Sequence, residues 1–77
     1  MLSMDAQYEK QLGQNIRKLR MERKLSQEQL SAQMQVRGCD ITRSAIAKIE
    51  VGQRHIYPDE LKLIKEILAV SFEELFV

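Results

Sequence analysis

The stretch SQEQLSAQMQVRGCDITRSAIAKIEVG, residues 26–52, contains two helix starts and one helix stop. Ser26-Gln27-Glu28-Gln29 has the form of a capping box, in which the Ser26 hydroxyl accepts from the amide at position 29 while the Gln29 side chain reaches back. Leu30 and Met34 follow at i and i+4, and Leu25 stands just ahead of the cap, where it can staple onto Leu30. Thr42 then opens a second helix whose inward residues are Ala45, Ile46 and Ile49, and Gly52 marks its C-terminal stop. Between the two runs Gln35 to Ile41, with Gly38 the natural place for a left-handed backbone. The spacing predicts a helix-turn-helix over about residues 26–51.

Upstream, Met4, Tyr8, Leu12, Ile16 and Leu19 recur every three or four residues, one stripe of a helix ending near Lys24. Gly13 weakens its middle, and residues 1–11 read as an N-terminal extension of that helix, prone to fraying, ahead of a domain spanning 12–77. Downstream, Pro58-Asp59-Glu60 is the expected opening of a fourth helix, with proline at the first position and acids at the positive dipole end. Leu61, Ile64, Ile67 and Leu68 would bury it. Ser71-Phe72-Glu73-Glu74 is a second capping box, starting a short last helix that carries Phe72, Leu75, Phe76 and Val77. No strand alternation or internal repeat interrupts this order, so the expected fold is all-α, a compact bundle of five helices.

A chain of 77 residues has room for one core, and such a core leaves only a few kcal/mol of net stability. Cys39 is the single cysteine and His55 the single histidine, so neither an intrachain disulfide nor a zinc set can be assembled, and no cofactor is implied. Oligomerisation is the remaining source of extra stability. Phe72, Leu75, Phe76 and Val77 exceed what a terminal helix turn buries on its own body, which points to a homodimer surface, with simple capping of the core as the competing reading. The first ten residues are too polar and acidic for a signal peptide, and no apolar run approaches the roughly 18 residues of a membrane span, so a cytoplasmic protein is expected.

The net charge of +1 conceals an uneven distribution. Residues 17–54 hold nine basic side chains against four acidic ones, while both flanks are acidic. Charge alone reads as a solvated helix face. The outer face of the third helix adds more: Thr42, Arg43, Ser44, Ala47 and Lys48 point outward. Arg43 and Lys48 can donate to guanine N7 and O6, Thr42 and Ser44 can bond a base or a phosphate, and the Ala47 methyl can meet a thymine methyl. Taken singly, Arg43 and Lys48 read equally well as ordinary surface residues. Gln27 lies beside free backbone N–H groups at a helix start, a setting suited to a phosphate, although a plain helix-start glutamine would look the same. Arg17, Lys24, Arg37 and Arg54 are further candidate phosphate contacts on double-stranded DNA. His55, near Tyr57, reads as loop packing or a phosphate contact.

Joined together, Ile16-Arg17-x-Leu19-Arg20, Leu25-Ser26-Gln27-x-x-Leu30, Thr42-Arg43-Ser44-x-Ile46-x-Lys48-Ile49-Glu50-x-Gly52 and Val70-Ser71-Phe72-Glu73-Glu74-Leu75-Phe76 resemble the lambda-repressor/Cro-like helix-turn-helix domains. The resemblance implies a five-helix domain that binds operator DNA as a dimer and regulates transcription, as a repressor, with the third helix in the major groove and the second braced on the backbone. It also implies that Arg20 and Glu50 form an ion pair beneath the recognition helix, that Arg43, Ser44, Ala47 and Lys48 read bases, and that Gln27 holds a phosphate. The link Gln35 to Ile41 is about five residues longer than the family's usual turn, so either the second helix runs on by a turn or a loop sets Arg37 beside the phosphates. In the former case Ile41 plugs the core.

Two other function classes stand beside DNA reading. The same fold can serve protein contact, as in an antitoxin-type or cofactor-type partner, and replacing Arg43 and Lys48 together would discriminate the two. An enzyme finds no footing, since there is neither a glycine-rich phosphate loop nor a nucleophile–base pair. Cys39 as a redox sensor lacks a second cysteine and reads as incidental.

Overall fold

The computed structural model describes residues 4–77, with side chains from Gln7 onward. Helix α1 runs Met4–Glu22, α2 Gln27–Val36, α3 Arg43–Glu50, α4 Pro58–Leu68 and α5 Phe72–Leu75, and no strand occurs among the described residues. The all-α, five-helix expectation therefore holds. No described helix is long and apolar enough to cross a membrane.

The helix boundaries follow local chemistry. Ser26 and Gln29 form the reciprocal capping box, with Gln29 N donating to Ser26 Oγ at 3.0 Å and Ser26 N donating to Gln29 Oε1 at 2.8 Å. Ser71 and Glu74 repeat it at the start of α5. Pro58 occupies the first turn of α4, where the Glu60 carboxylate turns back to accept from the Tyr57 amide at 3.0 Å. That helix closes on Ala69 in the left-handed region at φ +55°, and Arg23 Nε donates to the Leu68 carbonyl at 2.7 Å, satisfying one of the orphan acceptors at its end.

The core collects the inward residues of all five helices: Leu12, Ile16, Leu30, Met34, Ile46, Ile49, Ile64, Leu68 and Leu75 among them are buried. One described member of the expected stripe on α1 falls elsewhere. Tyr8 is 65% exposed, on the rim of a groove it shares with Leu12 and Phe76, and the Met4 side chain lies outside the described set. Leu75, expected on a dimer surface, is fully buried against the core; its neighbours Phe72, Phe76 and Val77 stay exposed. Helix periodicity explains the split, since a helix this short can turn only one residue in four fully inward. Asn15 of α1 holds the chain end in place, its Nδ2 donating to the Leu75 carbonyl at 2.7 Å and to the Val77 carbonyl at 3.1 Å.

The long link between α2 and α3 divides: Gln35 and Val36 belong to α2, and residues 37–42 lie outside the helices. That helix continues to Val36, and Gly38 then reverses the chain at φ +88°, a conformation glycine adopts without steric cost. Ile41 enters the core at 2% exposure. Its carbonyl is held from α2 by Ser31 Oγ at 2.8 Å and Gln35 Nε2 at 2.9 Å, which pins the link to the helix it leaves. Among the described residues no buried side-chain nitrogen or oxygen lacks a hydrogen-bond partner.

Candidate nucleic-acid interface

Helix α3 is short and strongly two-faced. Ile46, Ile49 and Glu50 are buried, Ala45 and Ala47 are half-buried, and Thr42, Arg43, Ser44 and Lys48 are exposed. Thr42 caps it: Oγ1 accepts from the Ala45 amide at 3.1 Å. Only a lone pair is used in that bond, so the Thr42 O–H keeps its proton to donate outward. Arg43 and Lys48 form no ion pair within the described residues, and both head groups stand free on the outer face.

Beneath α3 lies a charged anchor. Arg20 of α1 grips Glu50 at two points, Nε to Oε2 at 2.7 Å and Nη2 to Oε1 at 3.0 Å, with side-chain exposures of 9% and 1%. Its third nitrogen, Nη1, donates to the Leu25 carbonyl at 2.7 Å, so the guanidinium also ties the α1–α2 connection. Two parallel N–H···O bonds fix the relative orientation of the two planar groups, which a single contact would leave free to rotate.

Gln27, expected to meet a phosphate, also joins this anchor. Its Nε2 donates to Glu50 Oε1 at 2.9 Å, which commits one of its two amide protons to the protein and links the start of α2 to the end of α3. Arg54, also expected at a phosphate, is engaged within the protein. Its guanidinium pairs with Glu60 through 2.9 and 3.0 Å bonds, donates to the His55 carbonyl and lies 5.6 Å from the Tyr57 ring centroid. A cation so engaged closes the α3–α4 loop onto α4. Burial works to raise the Glu60 carboxyl, but the Arg54 guanidinium and the Tyr57 amide outweigh it and hold the group below the ordinary carboxylate value. His55 meets Glu9 of α1 across the same loop.

The remaining candidates sit apart from these networks. Arg17 and Lys24 are exposed and without ion-pair partners among the described residues, and Lys24 adopts φ +58° where the chain leaves α1. Arg37, exposed just past α2, donates to the Gln33 carbonyl at 3.0 Å, a surface bond that leaves other donors free. Cys39 is half-buried beside Asp59 and Glu66. Burial pushes its thiol above the ordinary value and the charges of Glu60 and Asp59 push the same way, which suppresses the reactive thiolate.

Gly13 is the residue that sequence reasoning undervalued. It is buried where α1 crosses the end of α3, and a Cβ built on it would stand 2.1 Å from the Ile49 carbonyl oxygen. The one signal available was a glycine placed mid-helix at a cost of about 1 kcal/mol relative to alanine, which asks for a packing reason.

A family model described as helix-turn-helix matches residues 16–75, from α1 to the end of α5. No curated protein and no solved structure matches the chain. The matched span contains both halves of the Arg20–Glu50 anchor, the α2–α3 pair and the outer face of α3. On that match and that architecture, the chain belongs to the lambda-repressor/Cro-like helix-turn-helix family, whose members are DNA-binding and not catalytic domains.

Proposed function

We propose that this protein is a transcriptional repressor that binds a two-fold operator as a homodimer, with α3 of each copy in a major groove. The observation that carries the reading is the outer face of α3, where Thr42, Arg43, Ser44 and Lys48 stand exposed over a doubly bonded Arg20–Glu50 anchor. Free donors on a fixed helix suit base-edge recognition, because geometry must be held to within a fraction of an ångström for bidentate contacts to form. Arg43 and Lys48 would read bases alongside Ser44, and Ala47 would offer its methyl. Arg17, Lys24 and Arg37 would supply the backbone charge contacts that set register and salt dependence.

Self-association is supported by the apolar surface at the other end of α1. Tyr8, Leu12, Ile56, Pro58, Leu61 and Phe76 line a groove of about 260 Å³, and Val77 beside it is 80% exposed. On this reading the dimer surface comprises Phe76 and Val77 with Tyr8, while the Phe72 ring lies 5.0 Å from Lys65 Nζ.

Selection of bound duplexes from a random pool tests the reading as a whole. The expected result is an enriched motif with two-fold symmetry and half-sites about one helical turn apart. A pool with no enriched motif, and an affinity that collapses with salt equally for every duplex, would overturn it.

A further inference from the structure

We propose that Gly13 is a positioning residue for DNA reading: the absence of a side chain there sets how closely α3 docks on α1, and thereby where Arg43, Ser44 and Lys48 are presented. The inference rests on the reading of α3 as the recognition helix.

The atoms facing Gly13 are all backbone. A Cβ at this position would lie 2.1 Å from Ile49 O, 3.0 Å from Glu50 O and 3.1 Å from the Glu50 carbonyl carbon. A flexible side chain could swing away from such a contact, but a carbonyl in the last turn of a helix cannot. Relief requires α3 to move outward by roughly 1 Å, beyond the roughly 0.5 Å within which a recognition constellation has to be held. A second clearance lies one turn back on the same face of α1. Gly52, immediately after α3, has φ +78°, and a Cβ there would stand 3.1 Å from the Lys10 Cα and Cβ. Lys10 and Gly13 are three residues apart and so share one helix face. Arg20, two turns further along, holds Glu50. The C-terminal end of α3 is thus fixed to α1 at three heights, two of them by glycines and one by an ion pair.

The α2–α3 link has no comparable clearance. A Cβ on Gly38 would meet nothing within 4 Å. Of all helix pairs, α1 and α3 make the most extensive contact. The closest backbone approach to α3 is therefore made from α1, and the turn at Gly38 makes none.

Gly38 provides a matched control, because Gly38→Ala and Gly52→Ala both place alanine at positive φ while only the latter meets α1. Each of Gly13→Ala, Gly52→Ala and Gly38→Ala would be examined by amide NMR of residues 43–50 and by the ratio of affinities for a selected duplex and a scrambled one. Gly13→Ala and Gly52→Ala are expected to shift the α3 amides and lower that ratio by about tenfold, the scale of one mismatched base pair, whereas Gly38→Ala lowers the melting temperature and leaves both readouts at wild type. Wild-type α3 amides in a folded Gly13→Ala, or equal losses of the ratio in all three variants, would overturn the proposal. If Gly13→Ala does not fold, the comparison of Gly52→Ala with Gly38→Ala decides. If the wild type prefers no duplex, the operator reading fails, and the amide shifts still decide whether Gly13 positions α3.

Discussion

Arg20 and Glu50, thirty positions apart in sequence, meet through two parallel hydrogen bonds of 2.7 and 3.0 Å in a site from which both side chains exclude water. Such a pair contributes orientation more than net stability, since removing two charges from water costs nearly what their attraction returns. Breaking one half is another matter. Arg20→Met and Glu50→Leu are each expected to lower stability by roughly 3–5 kcal/mol in urea titrations, because each leaves a buried charge without its counter-charge. The double variant should recover much of that loss while its preference among duplexes stays impaired. A double variant no more stable than the singles would show that the pair itself supplies the stability.

The outer face of α3 makes a separate prediction. Replacing Arg43 and Lys48 together by alanine should remove sequence preference while leaving helix content and melting temperature within experimental error, since neither side chain forms an ion pair or packs in the core. Gel shifts with the selected duplex and a scrambled competitor would check it. Retained preference would transfer the reading to another surface.

Glu60 gives the pH dependence a sign. Its folded-state carboxyl lies below the ordinary value near 4.5, so its contribution is fully present above that pH and is lost as the pH falls through the folded value. Arg54→Met removes the principal partner. The variant should therefore be destabilised most at neutral pH, with the gap to wild type closing as the pH falls through the lowered Glu60 value. Denaturant midpoints at pH 7 and pH 3 would measure this, and a gap independent of pH would assign the cost to lost packing of the guanidinium over Tyr57.

At the chain end two adjacent residues should behave oppositely. Phe76→Asp is expected to shift sedimentation equilibrium toward monomer with the fold intact, because Phe76 is 56% exposed. Leu75→Asp places a charge in the core and should unfold the protein. A Phe76→Asp variant that keeps its association state would remove this face from the dimer.

Ala69 closes α4 in the left-handed region at φ +55°, a conformation that costs an L side chain about 1 kcal/mol. Since Ala69 is exposed, Ala69→Gly loses no core contact and should raise the melting temperature by a few degrees. An unchanged or lower value would mean that added chain entropy in the unfolded state offsets the relief.

Helix starts were legible because their signals are local. Ser26 and Gln29, or Ser71 and Glu74, speak only to residues three positions away, and the caps formed where the pattern placed them. Ile41 was legible as a core residue through the family resemblance, which calls for an aliphatic plug just ahead of the third helix. What escaped were contacts whose second partner lies far along the chain. Gly13 reads as a weak helix position until the carbonyls of Ile49 and Glu50 arrive against it. Arg54 reads as a free cation until α4 folds back and brings Glu60 within 2.9 Å. For Leu75 the apolar character was evident and the direction was not, since α5 is too short for periodicity to choose a face.

Asn15 and Arg20 lie on the same helix, one bonded to the carbonyls of Leu75 and Val77 and the other to the carboxylate of Glu50. Five residues of α-helix separate their anchor points, about 7.5 Å along the axis. In the proposed two-fold pair, α1 would act as a ruler: one mark fixes the face that meets the second copy and the other fixes the helix that meets the groove. The distance between the two recognition helices would be cast in the pitch of α1. An operator with a different half-site spacing would then call for a changed first helix, even if every residue that touches a base were kept.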